Sequence, residues 1–156
     1  MKIRCLIIWG LMVGALLSAC DRKRVYDTYR EFPDATWEAD SIQTFDVAVF
    51  DTKQNHNLYF NIRNDRDYPF SNLWLFVTID QPGGTRLTDT VEVVLADPAG
   101  KWQGKGFAGV YDHRILYRQN IYFPVAGEYR FSLRHGMRTT SLKGITDVGI
   151  RVEKIR

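Results

Sequence analysis

The sequence predicts an all-β protein, an antiparallel β-sandwich of about seven or eight short strands, immunoglobulin-like or jelly-roll-like, following a signal peptide and a short tether. Three observations carry that prediction. In residues 58–79, Leu58, Phe60 and Ile62 alternate with Tyr59, Asn61 and Arg63, and Leu73, Leu75, Val77 and Ile79 alternate with Trp74, Phe76 and Thr78. This is the period of two that a strand imposes, because successive side chains leave it on opposite faces. Turn formers then recur at 64–69, 81–85, 97–100 and 124–127, the spacing of short strands in packed antiparallel sheets. Finally, no stretch after the amino-terminal segment keeps a helical period.

Residues 1–19 stand apart as a lipoprotein signal peptide. Lys2 and Arg4 form a basic start, and residues 6–17 are an apolar run of twelve. At about 1.5 Å of rise each, twelve residues fall short of a hydrocarbon core of about 30 Å, so the run reads as a secretory signal and not a membrane span. It ends in Leu17, Ser18, Ala19 and Cys20, which resembles the bacterial lipobox, where cleavage leaves the cysteine first and lipid-bearing. Cys20 is therefore the expected lipid attachment site and the bilayer the first expected partner. Cys5 departs with the signal, so no disulfide is expected.

Residues 20–34 are expected to be the lipidated anchor and tether. Val25, Tyr26, Tyr29 and Phe32 among the charges indicate that part of it docks as an edge strand or ordered arm. The sandwich domain is placed at 35–156, with strands near 35–39, 42–50, 58–63, 73–79, 88–95, 115–123, 127–134 and 146–154. The simplest reading of 58–79 is a hairpin whose two arms pair across a charged loop, its second arm serving as the central strand.

Composition is ordinary for a globular chain, 45% hydrophobic and 25% charged. Removing Lys2 and Arg4 from 21 Lys and Arg leaves nineteen against 18 Asp and Glu, a balance that gives no reason to expect nucleic acid as a partner. Gly104, Gly106 and Gly109 match the spacing of a phosphate-cradling loop, but the motif needs a strand before it and a helix after it, and neither is indicated. A bulge or close backbone approach is expected there. His56, His113 and His135 are isolated from one another and from cysteine, so they read as exposed loop residues and not as zinc ligands. Asn64, Asp65 and Asp67 offer oxygen ligands, yet Arg66 interrupts them and the calcium-loop glycine and glutamate are missing. No metal, cofactor or catalytic residue is expected, and the chain reads as a non-enzyme.

The expected partner-binding surface is the loop Asp65, Arg66, Asp67 and Tyr68, with Arg63, Trp74 and Arg138 as polar and aromatic anchors. An alternative is a glycan-binding module that stacks sugars on Trp74, Trp102 and Tyr122.

Taken together, the lipobox, the aromatic arm, residues 58–76 and 89–95, and the late segment from Met137 and Arg138 through 142–153 resemble the gliding-motility lipoprotein family GldH of the Bacteroidetes. The most specific part runs from Asn61 to Asp65 and from Tyr68 to Leu73. The resemblance implies a lipid-anchored component of the gliding machinery, linked to type IX secretion, whose partners are other envelope proteins. It implies no activity. The start Asp21, Arg22, Lys23, Arg24 lacks the acidic run of surface-exported lipoproteins in this phylum, which implies an outer-membrane anchor facing the periplasm.

Overall fold

A computed structural model describes residues 21–155. The signal peptide and Cys20 lie outside the described residues. The described chain is all strand and connection: β1 (Arg24–Glu31), β2 (Thr36–Glu38), β3 (Gln43–Val49), β4 (His56–Asn64), β5 (Asn72–Asp80), β6 (Arg86–Val94), β7 (Lys105–Phe107), β8 (Val110–Ile121), β9 (Gly127–His135), β10 (Ser141–Lys143) and β11 (Ile145–Lys154). One sheet has the order β1-β11-β4-β8-β7, the second β3-β9-β5-β6, and β2 pairs with β10 in a short ribbon.

Setting the short β2, β7 and β10 aside, the pairs β5·β6, β4·β8, β3·β9 and β1·β11 are all antiparallel and nested. They are one long hairpin folded at the β5–β6 turn and then rolled, so that β11 also pairs with β4 and β9 with β5. This is the jelly-roll connection, which settles the choice the sequence left open.

Rolling also corrects the hairpin expected at 58–79. Strands β4 and β5 lie in different sheets and do not pair; the intervening loop crosses from one layer to the other. Tyr68 holds that crossing, its side chain buried (3% exposed) and its hydroxyl donating to the Asn72 carbonyl at 2.7 Å. Gly144, at φ +87°, presses on the backbone of Tyr68, where a Cβ would stand 2.4 Å from the amide nitrogen. Only glycine fits there. The true hairpin partner of β5 is β6, joined through the Pro82–Gly84 turn. As expected, β5 has neighbours on both edges, but its outer face is open, with Trp74 and Phe76 exposed.

Residues facing inward alternate along every long strand. Phe45, Val47 and Val49 of β3, Leu73, Leu75 and Val77 of β5, and Tyr129, Phe131 and Leu133 of β9 meet Leu58, Phe60 and Ile62 of β4 and Val148, Ile150 and Val152 of β11. At about 1.5–3 kcal/mol for each large side chain withdrawn from water, this layer holds the sheets together. The arm before residue 35 belongs to the body: β1 pairs along β11 from Arg24 to Glu31, and Phe32 stacks on Trp37 at 5.3 Å. The sandwich thus starts at Arg24 and not at residue 35. Phe32 and Tyr26 packing on the core accounts for the aromatics in what sequence placed in a tether.

Candidate functional site

The two outer faces differ. On the five-stranded sheet, Arg63 (β4) donates to Asp112 (β8) at 3.1 Å, pairs with Asp147 (β11) at 3.6 Å and lies over the Tyr29 ring at 4.0 Å. Burial and the neighbouring Asp112 carboxylate push the Tyr29 hydroxyl up to about 12. Arg151 is buried here, although on the outward side of β11, and donates to Asp21, Asp27 and Glu153. Burial alone would lower the guanidinium's pKa; hydrogen bonds to those three carboxylates outweigh it and raise it. Asn61 completes the lattice by donating to Asp27 at 2.8 Å. This face is therefore crosslinked to itself.

On the four-stranded sheet the outer face is open. Trp74 is 38% and Phe76 40% exposed. The β5–β9 register sets Phe76 opposite Arg134, whose guanidinium lies 5.0 Å from the ring centre. The turn after β9 brings Met137 and Arg138 alongside: the Gly136 amide donates to the Trp74 carbonyl at 2.7 Å, and the Met137 sulfur accepts from the Trp74 amide at 3.4 Å. Phe70, Trp74, Met137 and Arg138 line a shallow groove of about 610 Å³. Exposed aromatic rings beside arginines that enter no ion pair among the described residues are the composition that anchors protein interfaces.

The seven residues expected to form the partner surface therefore divide. Trp74 and Arg138 are brought together. Asp65, Arg66 and Asp67 sit in the crossing loop near that end of the sandwich, with Asp65 capping the Asp67 amide at 2.8 Å. Tyr68 lies beneath this loop in the core, its hydroxyl raised above the ordinary range by burial, so it is no surface anchor. Arg63 is on the other sheet and engaged there. Reading residues 58–79 as one hairpin put Arg63 and Trp74 on a common ribbon; rolling separates them. Sequence reasoning missed Phe70, Met137 and Arg134. The Arg134 contact follows from cross-strand register, which pattern alone does not give.

The histidines also differ from expectation. His56, His113 and His135 are buried at 2%, 4% and 2% exposure, on β4, β8 and β9. Their spacing on strands puts them on inward-facing sides. His113 Nε2 pairs with Asn64 Oδ1 at 2.8 Å, His56 meets the Phe123 ring edge-on at 5.2 Å, and His135 meets Trp37 at 5.5 Å. Burial lowers the pKa of all three. At Gly104 the expected close approach is present: a Cβ would stand 2.8 Å from the Asp112 carbonyl and the His113 ring.

Trp74, Trp102 and Tyr122 do not gather into a stacking platform. Trp102 packs between Tyr68 and Tyr111 at 6.2 and 5.7 Å, whereas Tyr122 lies at the far end of the sandwich, beyond β8.

Fold and face define the class: a jelly-roll sandwich with one sheet surface crosslinked around Arg63 and Arg151, and the other exposing Trp74, Phe76 and Arg134 beside the Arg130–Asp46 and Arg86–Asp80 pairs. Residues 24–152 match the model of the GldH lipoprotein family. The chain is 37% identical over 92% of its length to the gliding motility lipoprotein GldH of Flavobacterium johnsoniae, covering 93% of it, and 39% identical over 89% to the GldH homolog of Christiangramia forsetii, covering 89% of that protein. The chain belongs to the GldH lipoprotein family. Among solved structures it is similar to the insecticidal delta-endotoxin Cry8Ea1 of Bacillus thuringiensis at TM-score 0.42 and 12% identity, over 77% of this chain but 19% of the toxin. So slight a likeness carries no argument.

Proposed function

We propose that this chain is a lipid-anchored, non-catalytic contact module of the gliding machinery, acting as an accessory to the type IX secretion apparatus from the periplasmic face of the outer membrane. The relatives named for gliding motility support the process, and the family the anchor. Cys20 is the attachment residue in this reading. The observation that carries the contact role is the open sheet face, where Trp74, Phe76, Arg134 and Arg138 stand exposed. The titratable pair Asp112 and His113 supports a role without turnover, since Asp112 is taken by Arg63 and Tyr29 and His113 by Asn64.

The test replaces Trp74 and Arg138 together by alanine in the source cell. Both side chains are on the surface, so the variant folds and accumulates in the envelope as the wild type does. It loses the envelope proteins that crosslink to and co-purify with the wild type. Undiminished co-purification overturns this surface.

A further inference from the structure

We propose that the end of the sandwich where β1 begins seats directly on the bilayer, its exposed rings in the interface and its lysines and arginines on anionic headgroups. The proposal rests on the reading of Cys20 as the lipidated residue.

The chain is tied to the body from the first residue after that cysteine. The Asp21 carboxylate accepts from the buried Arg151, the Lys23 carbonyl accepts from the Lys154 amide at 2.8 Å, and pairing of β1 with β11 is under way at Arg24. Neighbouring Cα atoms are only about 3.8 Å apart, so a lipid on Cys20 has no spacer to hold the body away from the membrane.

Contacts place three connections around that point. The Ile155 amide donates to the Asn55 carbonyl at 2.9 Å, Asn55 donates to the Asn120 side chain at 2.8 Å, and Pro82 abuts Gly127, the first residue of β9. The end is thus built from residues 50–55, 81–85 and 122–126. It exposes large hydrophobic side chains: Phe50 at 86%, Tyr122 at 65% and Val125 at 44%. Tyr122 has the amphipathic ring that favours the membrane–water interface, and Phe50 and Val125 add apolar surface beside it. Around them Arg22, Lys23, Arg24, Lys53 and Lys154 are all exposed. Among the described residues none of these five enters an ion pair. The exposed carboxylates among them are Asp21, which Arg151 holds, Asp51 and Glu128. The opposite end carries Asp34, Asp65, Asp67 and Asp97 on its turns, mixed with Arg66, Lys101, Arg138 and Lys143. Cations gathered at the end that carries the anchor, against mixed charge at the other, draw that end to an anionic leaflet. That orientation turns the groove of Trp74 and Arg138 away from the lipid.

The mature chain contains one cysteine, Cys20, and acylation blocks it, so a second cysteine is labelled selectively. Phe50→Cys, Tyr122→Cys and Asp67→Cys proteins, purified with their lipid, are labelled with an environment-sensitive fluorophore. They are then reconstituted in vesicles of phosphatidylethanolamine and phosphatidylglycerol that contain nitroxide-bearing lipid. Quenching at 50 and 122 is expected to exceed that at 67 several-fold. Chains that do not float with the vesicles overturn the anchoring reading and this proposal with it. Chains that float but quench equally at both ends leave the anchor standing and overturn the seating. Labels at 50 and 122 shielded from water but not quenched by lipid put a protein there instead, which also overturns it.

Discussion

Replacing Arg151 by methionine tests how the amino-terminal arm is held. The guanidinium side chain is 5% exposed and serves three carboxylates: Asp21, at 41% exposure, and Asp27 and Glu153, at 16% and 17%. Methionine keeps most of the length and packing of the arginine stem and removes the charge. Asp21 then returns to water at little cost, but Asp27 stays largely out of solvent with only the Asn61 amide, and Glu153 keeps only Arg114 at 3.9 Å. Breaking a buried pair costs about 3–5 kcal/mol, against at most about 1 kcal/mol for an exposed one. Partners exposed by one-sixth put this case at the low end, about 3 kcal/mol. With a urea slope near 2 kcal/mol per molar, the unfolding midpoint falls by about 1.5 M. Hydrogen exchange at the amides of β1 that bond to β11 should accelerate more than exchange in β5. Removing the exposed Arg130, which pairs with Asp46 on the other sheet, should shift the midpoint far less. A loss below about 1 kcal/mol for Arg151→Met, equal to that of an exposed pair, would refute the argument.

Two further outcomes follow from burial. Tyr68→Phe removes only the hydrogen bond to the Asn72 carbonyl and should cost about 1 kcal/mol, whereas Tyr68→Ala empties a core site and should cost about 4 kcal/mol by urea titration; equal losses would mean the ring is not packed. The histidine pKa values, lowered in the fold from 6.5 by burial at His56, His113 and His135, give stability that is complete above the unfolded value. The unfolded chain binds protons first, so stability drains away as pH falls below 6.5 towards the lowered folded values. Urea midpoints measured at about pH 8 and about pH 5.5 should therefore fall with acidity; an unchanged midpoint across that interval contradicts neutral burial.

Periodicity made the long strands legible. Leu73, Leu75 and Val77, or Tyr129, Phe131 and Leu133, mark their inward sides in the sequence, and β3, β4, β5, β6, β9 and β11 fall within a few residues of where alternation puts them. The short strands β7 and β10 were not legible: three residues carry too little alternation, and each is a strand only because β8 or β2 lies beside it. Pairing was misread for a related reason. Alternation says which face a residue takes but not which strand lies alongside, and in a rolled hairpin neighbouring strands of the first half go to opposite layers. Asp65, Arg66 and Asp67 look like the tip of a hairpin loop; Tyr68 among them shows that the loop is a buried crossing. The candidate site was half legible. Trp74 and Arg138 were readable as an outward aromatic and a late cation, while Phe70, Met137 and Arg134 join them through tertiary contacts that no local pattern encodes.

Photo-crosslinking in living cells tests the central claim most directly. A photoreactive residue at position 74 should yield adducts with envelope proteins. At the buried Leu75 next to it, the same residue should yield none. Protein adducts that are absent at 74, or equally abundant at both positions, would contradict the claim that this open sheet face is where the molecule makes its contacts.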